Sequence, residues 1–169
     1  MSFTRKDYQE EAPRKILTPA EAKIKIASYC AYQERCQKEV RDKLYEYGLH
    51  SHEVENLITS VILEGFLNEE RFAKAFARGK FRIKKWGKLR ISRELKFRVT
   101  SDTLVRIALK EIDEQEYWET LIYLAEKKLT EIKEKDKYKK RAKLYQFLTY
   151  KGYETELVQS ALESLEQYH

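Results

Sequence analysis

Apolar residues recur along this chain with the spacing of a helix face. Val54, Leu57, Ile58, Val61 and Ile62 lie at i, i+3, i+4, i+7 and i+8; Trp118, Leu121, Ile122 and Ala125 follow the same rule, extended by Leu129 and Ile132. No segment alternates convincingly with the period of a half-buried strand. The pair Thr18-Pro19 reads as an N-cap followed by proline at the first helical position, whereas residues 1–17 mix charges with little periodicity and are expected to form a loose tail. Gly48, Gly65, Gly87, Ser101 and Gly152 punctuate the remainder, which predicts about nine helices joined by short connections.

One arrangement occurs three times: an apolar residue, Leu four positions on, a short turn, Ser or Thr, and another apolar residue. The first copy is Val40, Leu44, Gly48, Leu49, Ser51 and Val54, the second Ile91, Leu95, Val99, Ser101 and Leu104, the third Leu144, Leu148, Gly152, Tyr153, Thr155 and Val158. Each Ser or Thr is placed to cap the helix that follows. Each pair is preceded by a further helix, so the parse is an all-α, elongated array of three tandem three-helix repeats covering residues 18–66, 67–112 and 113–169.

Charge changes the picture in the middle repeat. The chain carries 34 Lys and Arg against 28 Asp and Glu, a formal net charge of +6. From Arg78 to Arg98 there are ten basic residues and one acidic one, Glu94, whereas from Tyr153 to the end there are four Glu and no Lys or Arg. Such lopsidedness favours a polyanionic partner or an acidic protein for the middle repeat. The run from Lys127 to Lys143 holds nine basic residues but also Glu131, Glu134 and Asp136, so pairing along the helix accounts for much of it.

Placed on one helix, Phe72, Phe76, Gly79, Ile83 and Trp86 form a stripe within about 40° of Phe72, the expected core side. Arg78, Arg82 and Lys85 then lie on the other side, with Phe81 beside them. On the next helix, Arg90, Arg93 and Phe97 point away from the core set by Ile91 and Leu95. Basic residues interleaved with aromatic rings suit a binding surface, with Phe81 as an anchor; the alternative is a solvated charged face with Phe81 and Phe97 packed between repeats.

Catalytic chemistry finds little support, and no enzyme, cofactor or metal is expected. There are three His residues, His50-x-His52 lies in a turn without matched Cys or carboxylates, and no Gly-rich phosphate loop, nucleophile elbow or zinc-spaced cysteine set is present. Cys30 and Cys36 are expected as reduced, partly buried thiols. The N-terminal residues lack the apolar run of a signal peptide and no stretch is apolar enough for a membrane helix, so a cytoplasmic protein without membrane partners is expected.

The stretch Glu64-Gly65-Phe66-Leu67-Asn68-Glu69-Glu70-Arg71-Phe72-Ala73-Lys74-Ala75-Phe76 resembles the RecX-family segment E-G-[LYF]-L-[DN]-[DE]-x-R-[FY]-A-x-x-[FY]. Trp86-Gly87-Lys88-Leu89-Arg90-Ile91-Ser92-Arg93-Glu94-Leu95 is similar to the family's G-x-x-[RK]-I-x-x-E-L motif, and Arg141-Ala142-Lys143-Leu144-Tyr145-Gln146-Phe147-Leu148 with Lys151-Gly152-Tyr153 completes the series over residues 18–168. Lys96-Phe97-Arg98-Val99 departs from the family in lacking the turn glycine of the middle repeat. The resemblance implies a curved modular regulator that binds a RecA recombinase filament on single-stranded DNA and lowers its growth, ATPase, strand-exchange and coprotease activities; a monomer is expected. Contact residues expected on that basis are Arg71, Arg78, Phe81, Arg82, Lys85, Lys88, Arg90 and Arg93. The alternative is a direct binder of single- or double-stranded DNA that uses the basic middle repeat.

Overall fold

A computed structural model describes residues 14–167, without the side chain of Gln167; most of the expected N-terminal tail, residues 1–13, lies outside the described residues. The helices are α1 Pro19–Tyr32, α2 Gln37–Glu46, α3 Ser51–Leu63, α4 Glu69–Lys84, α5 Lys88–Lys96, α6 Asp102–Leu109, α7 Glu114–Glu131, α8 Lys137–Lys151 and α9 Thr155–Gln167. No strand occurs among the described residues, and no helix there is long and apolar enough to cross a membrane. The five punctuated positions all fall at breaks, and the breaks at residues 33–36, 110–113 and 132–136 carried no such signal.

Small polar residues start several of these helices by accepting an otherwise unpaired backbone N–H of the first turn. Thr18 Oγ1 accepts from the Glu21 N–H at 3.2 Å, Asn68 Oδ1 from Arg71 at 2.9 Å, Asp113 Oδ1 from Glu116 at 2.9 Å and Asp136 Oδ1 from Lys139 at 2.9 Å. Asp113→Ala is expected to cost about 1 kcal/mol, read as a lower urea midpoint, with Asp113→Asn retaining most of it. An unchanged midpoint for the alanine variant would show that the neighbouring packing alone holds the start of α7.

The expected caps Ser51, Ser101 and Thr155 hold their places only in part. Ser101 is the N-cap of α6 but makes no side-chain capping bond. His50 caps α3, one residue earlier than expected, because the Glu53 carboxylate reaches back to accept the His50 N–H at 3.0 Å. In α9 Thr155 is already the first helical residue, and the Val158 N–H closes onto the Glu154 carbonyl at 2.9 Å.

The helices pack in threes: α1–α3, α4–α6 and α7–α9. The chain divides into two compact units, one through Leu67 and one from Asn68 onward, so the second and third triplets share a unit. In the first unit Ala22, Ile26, Cys30, Val40, Leu44, Val54, Leu57, Ile58 and Val61 form the core. Leu17, assigned to the tail by its sequence, is buried there, and its N–H donates to the Tyr47 carbonyl at 3.0 Å. Neither cysteine is in a disulfide and both are buried, and burial pushes the Cys36 thiol above its ordinary pKa. Arg41 joins α2 to α3 through a two-pronged contact with Glu55, at 2.7 and 3.3 Å.

Candidate functional site

α4 is turned differently from the expected stripe. Its buried residues are Phe72, Ala73, Ala77 and Phe81, whereas Ile83 is 78% exposed and Trp86 lies beyond the helix end. With about 100° per residue, this moves the buried face roughly a quarter turn away from Phe72 and toward the alanines. α4 packs closely on α6, which presents Val105 and Ala108, and the small side chains Ala73, Ala77 and Ala108 let the two backbones approach. A face bearing Ile83 would hold the helices apart.

The same rotation buries Phe81, which is 2% exposed and so is not the solvent-facing anchor expected of it. Its ring lies 5.7 Å from that of Tyr117 on α7, which in turn stacks at 5.0 Å on Tyr153 in the α8–α9 turn. Phe81 is thus packed between the second and third triplets.

Main-chain bonds reinforce this junction. The Gly87 N–H donates to the Lys151 carbonyl at 2.8 Å and the Leu89 N–H to the Gly152 carbonyl at 3.0 Å. The Tyr117 hydroxyl accepts the Lys88 N–H at 2.9 Å and donates to the Glu154 carboxylate at 2.7 Å, while the Tyr153 hydroxyl donates to the Lys85 carbonyl at 3.0 Å. Burial, followed by the hydrogen bond to Glu154, holds the Tyr117 phenol far above its ordinary pKa; burial and the nearby Glu154 charge raise that of Tyr153. Both stay protonated donors.

The junction also explains an unusual backbone. Lys85, just past α4, adopts the left-handed conformation (φ 58°, ψ 32°) and lets the Trp86 N–H close onto the Lys80 carbonyl at 3.2 Å. That reversal aims the 85–87 segment at the α8–α9 turn, where its carbonyl and N–H groups find partners.

The expected contact residues separate into two groups. Arg78 Nη1 lies 3.0 Å from Glu111, Arg82 Nε 3.8 Å from Glu116, and Lys88 pairs with Glu114 while its Nζ sits 4.7 Å from the centre of the Tyr117 ring. These three cations meet carboxylates from the α6–α7 region of their own unit, so most of their charge is compensated within the fold. Arg71 is exposed in the first turn of α4. Lys85, Arg90 and Arg93 have no carboxylate within 4.0 Å among the described residues. Arg98, beside the turn without glycine, is half-buried and folds back on its own helix: it donates to the Glu94 carbonyl at 2.7 Å, pairs with the Glu94 carboxylate at 3.3 Å and lies 5.0 Å from the Phe76 ring centre.

Two surfaces emerge. On α5, Ile91 and Leu95 are buried while Leu89, Arg93, Lys96 and the C-cap Phe97 are exposed, Leu89 by 51% and Phe97 by 75%. These four fall on one side of the helix, an exposed apolar pair with two cations between. The second surface lies at the junction. Arg90 stacks 4.2 Å from the Trp86 ring centre and 5.2 Å from that of Tyr150, and Lys151 Nζ donates to the Lys84 carbonyl at 3.2 Å. Burial lowers the Lys151 pKa, and the positive charges of Arg90, Lys84 and Lys127 lower it further. Four cations therefore converge from two repeats. Sequence reasoning found Arg90 but missed Lys84, Lys127, Lys151 and Tyr150; the Lys151-Gly152-Tyr153 turn was the available signal for the last two.

Residues 68–109 match the family model described as RecX, second three-helix domain, and residues 114–162 that described as RecX, third three-helix domain. The chain is 32% identical over 133 residues to the regulatory protein RecX of Clostridium perfringens (strain 13 / Type A), covering 78% of this chain and 62% of that protein. It is 25% identical over 158 residues to the regulatory protein RecX of Bacillus cereus (strain B4264), covering 94% of this chain and 56% of the relative. The chain thus spans less than two thirds of the length of either relative. Among solved structures, the crystal structure of RecX from Lactobacillus salivarius superposes with a TM-score of 0.79 at 23% identity, over 88% of this chain and 97% of that one, a likeness of fold.

Proposed function

This chain belongs to the RecX family of regulatory proteins, and on that premise we propose that it acts without catalysis of its own, binding a RecA-type recombinase filament on single-stranded DNA and restraining it. The observation that carries the reading is the exposed face of α5. Leu89 and Phe97 offer apolar area, and Arg93 and Lys96 offer charge that no carboxylate of the fold compensates among the described residues. A surface of this kind fits an acidic, partly apolar protein partner, with the ring and the guanidinium as the energetic centre. A repeat protein suits a filament because successive repeats can meet successive protomers.

The test is single-stranded-DNA-dependent ATP hydrolysis by the cognate recombinase, measured while this protein is titrated in. Inhibition well below one molecule per protomer is expected. The variant Arg93→Glu/Lys96→Glu/Phe97→Ser changes only exposed side chains and is expected to raise the half-inhibitory concentration at least about tenfold, equivalent to roughly 1.4 kcal/mol, while keeping its helical circular dichroism. Full inhibition by the folded variant would move the contact off α5. Absence of inhibition by the unaltered protein would sink the reading.

A further inference from the structure

The second surface is not used by this reading. It is built from two repeats whose relative position is held by main-chain bonds, those from Gly87 and Leu89 to the carbonyls of Lys151 and Gly152. Beside those bonds Lys151 Nζ donates to the Lys84 carbonyl at 3.2 Å and Arg90 stacks between Trp86 and Tyr150, and the charges of Arg90, Lys84 and Lys127 lie near enough to Lys151 to disfavour its protonation. None of the four has a carboxylate within 4.0 Å among the described residues. Like charges gathered without counter-charges destabilise the fold locally, and an anion relieves that.

Arg90 is the centre of the cluster. Trp86 and Tyr150 cover its guanidinium, and no oxygen acceptor for its N–H groups is found among the described residues. Stacking fixes the plane of a guanidinium and leaves its edges for a forked contact, the geometry that suits a phosphate. Tyr150 is 73% exposed, so its ring also presents area to solvent beside the four cations. Cations that track a backbone next to an open aromatic ring are the combination that holds unpaired bases. A duplex keeps its bases stacked inside, and an acidic protein has carboxylates but no planar base to set on the ring.

We propose that this junction is a binding site for single-stranded nucleic acid, in which Lys84, Arg90, Lys127 and Lys151 meet backbone phosphates and the Tyr150 ring stacks against a base. The site differs from the α5 face, is composite between repeats, and requires no recombinase. It also places the nucleic-acid contact outside the middle repeat alone, since Lys127, Tyr150 and Lys151 belong to α7 and α8.

The experiment is fluorescence anisotropy of a labelled oligothymidine with the full chain and no recombinase, over a series of salt concentrations. Arg90 and Lys151 are left intact because they brace the turn. Lys84→Gln/Lys127→Gln should weaken binding and flatten the dependence of log affinity on log salt by about 1.4, twice the roughly 0.7 expected per single-strand phosphate contact. Tyr150→Ala should weaken binding at least about fivefold and Tyr150→Phe should restore it, because the ring and not the hydroxyl does the stacking. A duplex of equal length should bind more weakly and lose nothing to Tyr150→Ala.

The control Lys137→Gln/Lys139→Gln removes the same charge from the exposed start of α8; an equal loss there would reduce the binding to net charge and overturn the proposal. Tyr150→Ala without effect, or duplex binding as tight as single-strand binding, would overturn the single-strand assignment. Displacement of the oligonucleotide by polyglutamate at matched charge would instead assign the surface to an acidic protein. These outcomes are independent of recombinase inhibition, so either proposal can fail alone.

Discussion

Replacing Tyr117 with alanine is expected to lower the unfolding free energy by about 4 kcal/mol, the cost of emptying a well-packed aromatic site. Tyr117 is 1% exposed and its ring is the middle of the Phe81–Tyr117–Tyr153 series. Truncation removes both ring contacts at once and leaves the Lys88 N–H and the Glu154 carboxylate without their shared partner. Tyr117→Phe separates these contributions: the ring stays, the hydroxyl goes, and the loss should fall to roughly 1–2 kcal/mol. Urea unfolding followed by circular dichroism measures both. If Tyr117→Ala unfolded at the midpoint of the unaltered protein, the second and third triplets would be stable independently of their junction.

Gly87→Ala is expected to cost about 3 kcal/mol or more, although the backbone there (φ −75°, ψ 164°) is one that alanine adopts readily. The penalty comes from the neighbour. A Cβ on Gly87 would stand 2.2 Å from the Gly152 carbonyl carbon, 2.3 Å from its oxygen and 2.3 Å from the Tyr153 nitrogen. These are main-chain atoms and cannot rotate aside, so the two turns must separate and give up the bonds from Gly87 and Leu89. Gly79→Ala is the control within the same repeat. A Cβ there meets nothing within 4 Å, and removing a glycine from the interior of α4 should raise stability by roughly 0.5–1 kcal/mol. Gly87→Ala should weaken oligothymidine binding as well, because it displaces Lys151 from Arg90; retained affinity would show that the four cations do not need the docked turns.

The contrast between these two glycines indicates how far the linear pattern could be followed. Both stand in the basic stretch of the middle repeat, and nothing in their flanking residues says that one faces solvent and the other a carbonyl 65 residues away. Likewise, Phe81 among basic residues looked like an exposed anchor because the surface that covers it, Tyr117, belongs to the next repeat. The pairing of Arg82 and Lys88 with Glu116 and Glu114 of α7 follows from the same docking, whereas Arg78 meets Glu111 within its own repeat. Of the nine cations in the Lys127–Lys143 run, read as largely self-compensated, Lys128 meets Glu131 and Lys143 meets Glu134, while Arg141 pairs outside the run with Glu166; Lys127 lies near enough to Lys151 for its charge to be felt there.

Local chemistry thus determined the helices. Three-to-four residue spacing, the Thr18-Pro19 start, the glycine breaks and the threefold recurrence of one pattern act within about a dozen residues, and they led to nine helices in triplets; the motifs at Glu64–Phe76 and Trp86–Leu95 carried the family resemblance. Tertiary packing decided the rest: the quarter turn of α4, the burial of Phe81, and which cations keep their charge for a partner. Periodicity locates an apolar face, but α4 carries both Phe76–Ile83 and Ala73–Ala77 as candidates for it. The choice between them depends on how closely α6 can approach, which is a property of two helices and not of either alone.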